Sequence, residues 1–346
     1  DGTWWLPYEI VLENVTDAQV KIASVDVLDP TRNGAVVATL GRDALVENVI
    51  QAGGVKSRTL AAGKSAVLFV NARFARREDV PAQLAHRIVV AIPEPKPPLP
   101  ERTVEQPVAP TDVTTTAPLV LGPPLKGDRW VAAASCCDSY HRRAVLPVNG
   151  ARHLAQRYAI DWIQLTADDR LATGDPKQNA SYPQFGAEAI AAADAKVVRV
   201  QDGLPEGTPG TFAPGVTATN ADGNAVVLDL GDGRWALYAH LQPGSIRVRQ
   251  GDAVKRGDVL GLVGNTGNSD APHLHFHVMD GPSPLASNGV PYVIDAFTVS
   301  GRAVSSSDLD DELKKADQPV QVEHRTVPAE RARELPADLA VVAFPG

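Results

Sequence analysis

The chain has 346 residues, enough for two domains with separate hydrophobic cores. Its 33 basic and 41 acidic residues give a net charge of −8, so no basic surplus exists to neutralise phosphates, which argues weakly against nucleic acid as the main partner; none is expected. No apolar run approaches the ~18 residues of a membrane helix, so no integral membrane segment is expected.

No secretory leader is visible at Asp1, as expected of a mature or trimmed product, so its absence does not assign the chain to the cytosol. Residues 8–28 alternate apolar and polar at period two: Ile10 and Leu12, then Val20 and Ile22, then Val25 and Val27. Residues 61–74 and 85–92 read the same way. Short strands separated by Gly, Asp and Asn turns predict an immunoglobulin-like β sandwich over 1–118. Ten prolines between 92 and 124 then mark an extended connector. Proline removes a backbone donor, so only an edge strand is expected there, around 103–115. Asn14 and Asn179 begin glycosylation sequons at the frequency chance supplies.

From about 119 to 300 glycine becomes dense and strands short, in "NAVVLDLGDG", "RWALYAHL", "VLGLVGNTG" and "HLHFHV". This predicts a second, antiparallel β domain. "GAEAIAAADAKVVRV" is read as a strand, a turn at Asp194–Ala195 and another strand. Residues 301–346 are expected to form a tail, with a short helix over 306–316 started by a serine–aspartate cap; its end could add a strand or dock on a domain. Trp130 and Trp162 read as core or cleft wall, and Asn224 and Asn265 as turn residues. The only cysteines, Cys136 and Cys137, are adjacent and form no disulfide framework. The plain reading is two small, partly buried thiols; a vicinal disulfide or a soft-metal contact is the alternative.

Three of the eight histidines stand at alternate positions, His273, His275 and His277. On a strand they share one face. His240 ends another apolar strand. Asp161 interrupts the strand formers of "QRYAIDWIQL", where a carboxylate is costly to bury without a counter-charge. This inventory suits a zinc hydrolase: zinc takes imidazole and carboxylate ligands, and unligated imidazoles move protons. The bland alternatives are a solvated polar face for the three histidines, a satisfied strand-end His240, and an Asp161–Arg157 salt bridge.

"QRYAIDWIQL", "GNAVVLDLGDGRWALYAHL" and "GDAVKRGDVLGLVGNTGNSDAPHLHFHV" together resemble the lysostaphin-type (LytM-like) zinc metallopeptidases, over roughly residues 145–298. The resemblance implies an antiparallel β fold and endopeptidase action on peptide cross-links of bacterial peptidoglycan. It implies zinc ligation by Asp161 and His275, and catalytic roles for His240 and His273. Where the family has its first ligand, four residues before the aspartate, this chain has Arg157, which cannot donate a lone pair. A third ligand could come from His141, slightly preferred, from His153, or from His277, whose more ordinary role would be to support a ligand; a site with no third histidine is the equal alternative. The resemblance also implies an extracytoplasmic location, with an envelope protein as a further partner. The rival reading is a catalytically degenerate domain serving as a binding or regulatory module. Biotinyl and lipoyl carrier hairpins share the Gly-Asp turns, but Met279, the only methionine, lies beside no lysine.

Overall fold

The computed structural model of the chain describes residues 2–95, 97, 103–305 and 309–345, with the backbone alone for 103–107. The chain divides into two compact units, Asp1–Ala117 and Pro118–Gly346.

In the first unit, strands Trp4–Glu13, Ser65–Phe74 and Val49–Gln51 form one antiparallel sheet. A second sheet runs Ala35–Leu40, Val20–Asp29, Gln83–Ala91, Thr103–Asp112, with Thr59–Leu60 also paired to Val20–Asp29. Ile10, Val49 and Leu68 from one sheet and Val25, Val27 and Ile88 from the other share one core, which makes a two-sheet sandwich. The apolar pattern changes parity between Ile22 and Val25. The cause is a register shift between Ile22 and Ser24, where an extra residue turns every following side chain to the other face. The proline-rich stretch does supply an edge strand, Thr103–Asp112, paired only with Gln83–Ala91.

The second unit is built on a ten-stranded antiparallel sheet. Its order is Ala253–Val254, Ala195–Gln201, Asn224–Gly231, Arg234–Leu241, Leu274–Met279, Ile160–Gln164, Gly127–Ala133, Ala340–Phe344, Phe297–Ala303, Val322–Arg331. Residues 301–346 are therefore no separate tail. Ala340–Phe344 lies inside the sheet, bonded on both sides, because Val341, Val342 and Phe344 are buried among its neighbours. The expected helix is shorter, Asp310–Leu313, and its expected Ser306–Asp308 cap lies outside the described residues. Among the described residues, no helix is long and apolar enough to cross a membrane.

Both faces of this sheet are covered. Leu274, Phe276 and Val278 join Trp130, Ile160, Trp162 and Tyr238 in the main core. The intervening His275, His277 and Met279 point to the opposite face and are also buried. That opposite face carries two smaller apolar clusters. One contains Ala225, Val227, Leu237, Ala239 and Met279; the other contains Val131, Ala133, Ile163 and Val341. The polar strip between them is where Asp161 and the histidines sit.

Removing residues 301–346 should leave the second unit without cooperative unfolding, since its sheet loses an interior strand. Thermal denaturation of the truncated chain that still shows the second unit's transition would refute this placement.

Candidate metal centre and active site

Register brings the site together. Asp161 pairs with His275 across one strand boundary, and His275 pairs with Ala239, the residue before His240, across the next. Asp161 also lies opposite Ala133, so the segment following Ala133 starts beside the carboxylate. That segment forms a short helical turn, Tyr140–Arg143. It delivers two groups to one oxygen: His141 Nε2 lies 3.1 Å from Asp161 Oδ2, and Tyr140 Oη donates to the same atom at 2.8 Å. His275 Nδ1 lies 2.8 Å from Oδ1, and His273 Nε2 lies 3.5 Å from it. The carboxylate is 6% exposed. Burial alone would raise its pKa; His141 and His273, with hydrogen bonds from His141 and His275, outweigh this and hold it well below the carboxylate range.

His141 Nδ1 lies 3.1 Å from the Ala134 carbonyl, which can only accept, so Nδ1 carries the hydrogen. A neutral His141 then presents a lone pair at Nε2 to a carboxylate oxygen. Two acceptors at that distance require a positive charge between them, from a proton or a metal ion. Asp161, His141 and His275 offer one donor atom each, all within 4.8 Å of one another. Two imidazole nitrogens and a carboxylate oxygen are donors of the kind zinc accepts. His275 is itself supported on its other nitrogen: His275 Nε2 lies 2.9 Å from His277 Nδ1. His240, His273 and His275 form a second such group, sharing His275, but it contains no anion.

His240 and His273 stack at 4.7 Å between ring centroids beside this cluster. Each is anchored through Nδ1 to a carbonyl, His240 to Thr266 at 2.7 Å and His273 to Ala271 at 2.8 Å, so in the neutral ring Nε2 is the basic nitrogen. Burial, then the neighbouring His273 and His275, keep His240 well below its usual pKa; burial acts likewise on His275 and His277. The backbone of His240 is left-handed, φ 63°. It is pinned there by its N–H to Asp222 and its carbonyl from Gly264, a strained conformation of the kind that collects at functional sites.

The other expected site residues are placed as follows. Arg157 donates to the Gly289 carbonyl at 3.1 Å, whereas the ion-pair partners of Asp161 are His141, His273 and His275, so the Asp161–Arg157 bridge is replaced by histidine contacts. His153 belongs to a separate hairpin, Leu146–Val148 with Ala151–His153, and to neither metal-competent group. Trp130 and Trp162 are core. Cys136 and Cys137 are bonded to each other, in the turn between Ala134 and Tyr140 that folds the chain back to Asp161; they are not separate thiols.

Sequence reasoning missed the supports. Asn224 and Asn265 are buried, not simple turn residues. Asn224 bonds Leu204 and Leu241. Asn265 Oδ1 accepts from Ser269, which lies 3.3 Å from His273 Nδ1. The Asn265 N–H donates to Glu206 Oε2 at 2.6 Å, one residue before Thr266, whose carbonyl aims His240. Only the adjacency of Tyr140 to His141 hinted at its role; nothing local marked Glu206.

Residues 181–287 match the profile of Peptidase family M23. His240, His273, His275 and His277 fall within the part of the chain that is similar to this family, while His141 and Asp161 lie upstream. Endolysin 2638A of Staphylococcus phage 2638A is 32% identical over 137 residues, 35% of this chain and 28% of the relative. The DD-carboxypeptidase/endopeptidase Mpg of Neisseria meningitidis serogroup B is 35% identical over 104 residues, 29% of this chain and 24% of the relative. The matches therefore span under a third of these relatives' lengths. Among solved structures, the catalytic domain of lysostaphin from Staphylococcus simulans aligns over 47% of this chain and 88% of its own, at 22% identity and a TM-score of 0.28.

Burial raises the Glu206 carboxyl to about 7, opposed by its bond from Asn265, against an ordinary value of 4.5. The folded state then holds a proton that the unfolded state has released between those values, so this group's contribution to stability falls as pH rises through that window. Glu206→Gln removes the dependence. The variant should gain stability relative to the parent from pH 4.5 to about 7 and keep a constant difference above, as read from urea midpoints; a difference independent of pH would contradict the raised pKa.

Proposed function

We propose that the chain is a zinc-dependent endopeptidase acting on peptide cross-links of bacterial peptidoglycan, outside the cytoplasm. The observation that carries this reading is the buried Asp161 carboxylate with His141 and His275 on its two oxygens, which is a donor set of the N,N,O kind zinc accepts. It is supported by the M23 match and by relatives named as endopeptidases, among them the peptidoglycan DD-endopeptidase ShyA of Vibrio cholerae. In this reading His141 replaces the ligand that Arg157 cannot supply.

Zinc bound there would polarise the scissile carbonyl and acidify a water. The protein's own contribution is to hold protons in order. His240, neutral through burial, takes the proton of the attacking water at Nε2. His240 Nε2 then gives that proton to the leaving amine, while His273, fixed through Ala271 and Ser269, holds its Nε2 toward the reacting carbonyl. Tyr140 and His277 hold the ligands: one bonds Asp161, the other His275. The alternative, a degenerate module that binds the wall or an envelope protein without zinc, is favoured by Arg157 alone.

Protein purified without chelator should contain about one zinc per chain. His273→Ala should abolish peptide cleavage and keep the metal; His275→Ala and His141→Ala should lose both. Absence of zinc at micromolar supply would leave the binding module as the function, and full metal in His141→Ala would remove that residue from the ligand set. His277→Ala, which only buttresses a ligand, should weaken zinc binding about 10–100-fold in a chelator competition.

A further inference from the structure

The face that carries the histidines continues across the sheet to a charged cavity that the hydrolytic chemistry does not use. His277 pairs with Leu237, Leu237 with Val227, and Val227 with Arg199. Directly paired residues share a face, so these four form one transverse row. Arg199 therefore stands three strand spacings, about 14 Å, from His277. Leu237 and Val227 belong to the small apolar cluster of that face, which confirms the side on which Arg199 lies.

At the Arg199 end lies a cavity of about 310 Å³, lined by Arg199, Thr219, Asp222, Pro282, Ser283 and Leu285. At ~30 Å³ per water, this holds on the order of ten waters, or one amino-acid residue. Its walls run directly into both histidine strands. The Asp222 carbonyl accepts the His240 N–H at 2.9 Å, and Pro282 and Ser283 closely follow Met279, the last residue of the His275–His277 strand.

Arg199 is equipped to receive an anion. Its side chain is a third exposed. One terminal nitrogen donates to Gln201 at 2.8 Å, and the other reaches Asp222 only at 3.4 Å. Among the described residues its Nε–H has no partner. A guanidinium with unused donors beside hydroxyl groups matches a carboxylate in charge and geometry.

We propose that this cavity is a subsite for a free carboxylate of the peptide substrate, bound by Arg199 at the far end of the row that begins at His277. The inference rests on the endopeptidase reading for the word substrate, but its binding test does not depend on turnover.

Two synthetic Ala/Gly hexapeptides, with the scissile amide replaced by a methyleneamine and ending in either a carboxylate or a carboxamide, provide the test. Fluorescence anisotropy with the full, zinc-supplied chain should show the carboxylate peptide binding at least about tenfold tighter, a difference of about 1.4 kcal/mol. Arg199→Gln should bind both peptides at the carboxamide level. Asp222→Asn, which removes the anion competing for the guanidinium, should keep or enlarge the preference. Equal binding of the two peptides by the parent chain, binding of neither, a preference retained in Arg199→Gln, or one lost in Asp222→Asn would overturn the proposal. Failure of the endopeptidase reading would show separately, as no cleavage of the same two hexapeptides synthesised with an ordinary amide at the scissile position, while the carboxylate preference of the methyleneamine pair persists.

Discussion

A carboxylate placed in the middle of a β-sheet, with apolar clusters on either side, cannot stay ionised unless positive charge or N–H donors reach it. Asp161 is in that position, and the surrounding chain is organised to meet the demand. Its two oxygens are approached by imidazoles from two different elements and by a tyrosine hydroxyl. The same demand makes the place suitable for a divalent cation: the histidine on one oxygen has its other nitrogen committed to a carbonyl and offers only a lone pair. Structural need and chemical competence thus have one origin.

The strand that bears His275 and His277 shows how the sheet pays for this polarity. Its odd and even side chains are both buried, apolar toward the main core and imidazole toward the opposite face. The imidazoles are linked in a line, from Asp161 to His275 to His277, which ends at a His277 Nε2 with no partner among the described residues. Rigid packing of the alternate residues keeps that line in register, which is the condition for holding a ligand at the precision a metal needs.

His141 shows how a buried carboxylate can be met from a different part of the chain. Arginine at position 157 would leave a site of two protein ligands. The turn after Ala133 begins one register position from Asp161 and folds back on itself, so His141 arrives at the same carboxylate from the other side. Arg157 bonds a neighbouring carbonyl. The loop that orients His240 and His273 is braced in turn by Glu206, so both basic nitrogens depend on a residue distant from the metal-competent cluster.

Much of this was legible in the chain itself. Period-two alternation located the strands, the awkward Asp161 and the His273–His275–His277 ladder marked the chemistry, and Arg157 posed the missing-ligand question, because each of these is a local property of spacing and residue type. What the sequence could not decide was which of His141, His153 and His277 meets Asp161. That is set by strand order and register, and by a turn whose direction depends on long-range packing. For the same reason the choice between a strand and a docked end for 335–344 stayed open: only the sheet, by leaving an interior place between residues 127–133 and 297–303, makes Ala340–Phe344 part of the core. Glu206 and Arg199 carry no local signal at all; their places follow from which distant backbone and which cavity the finished fold puts beside them.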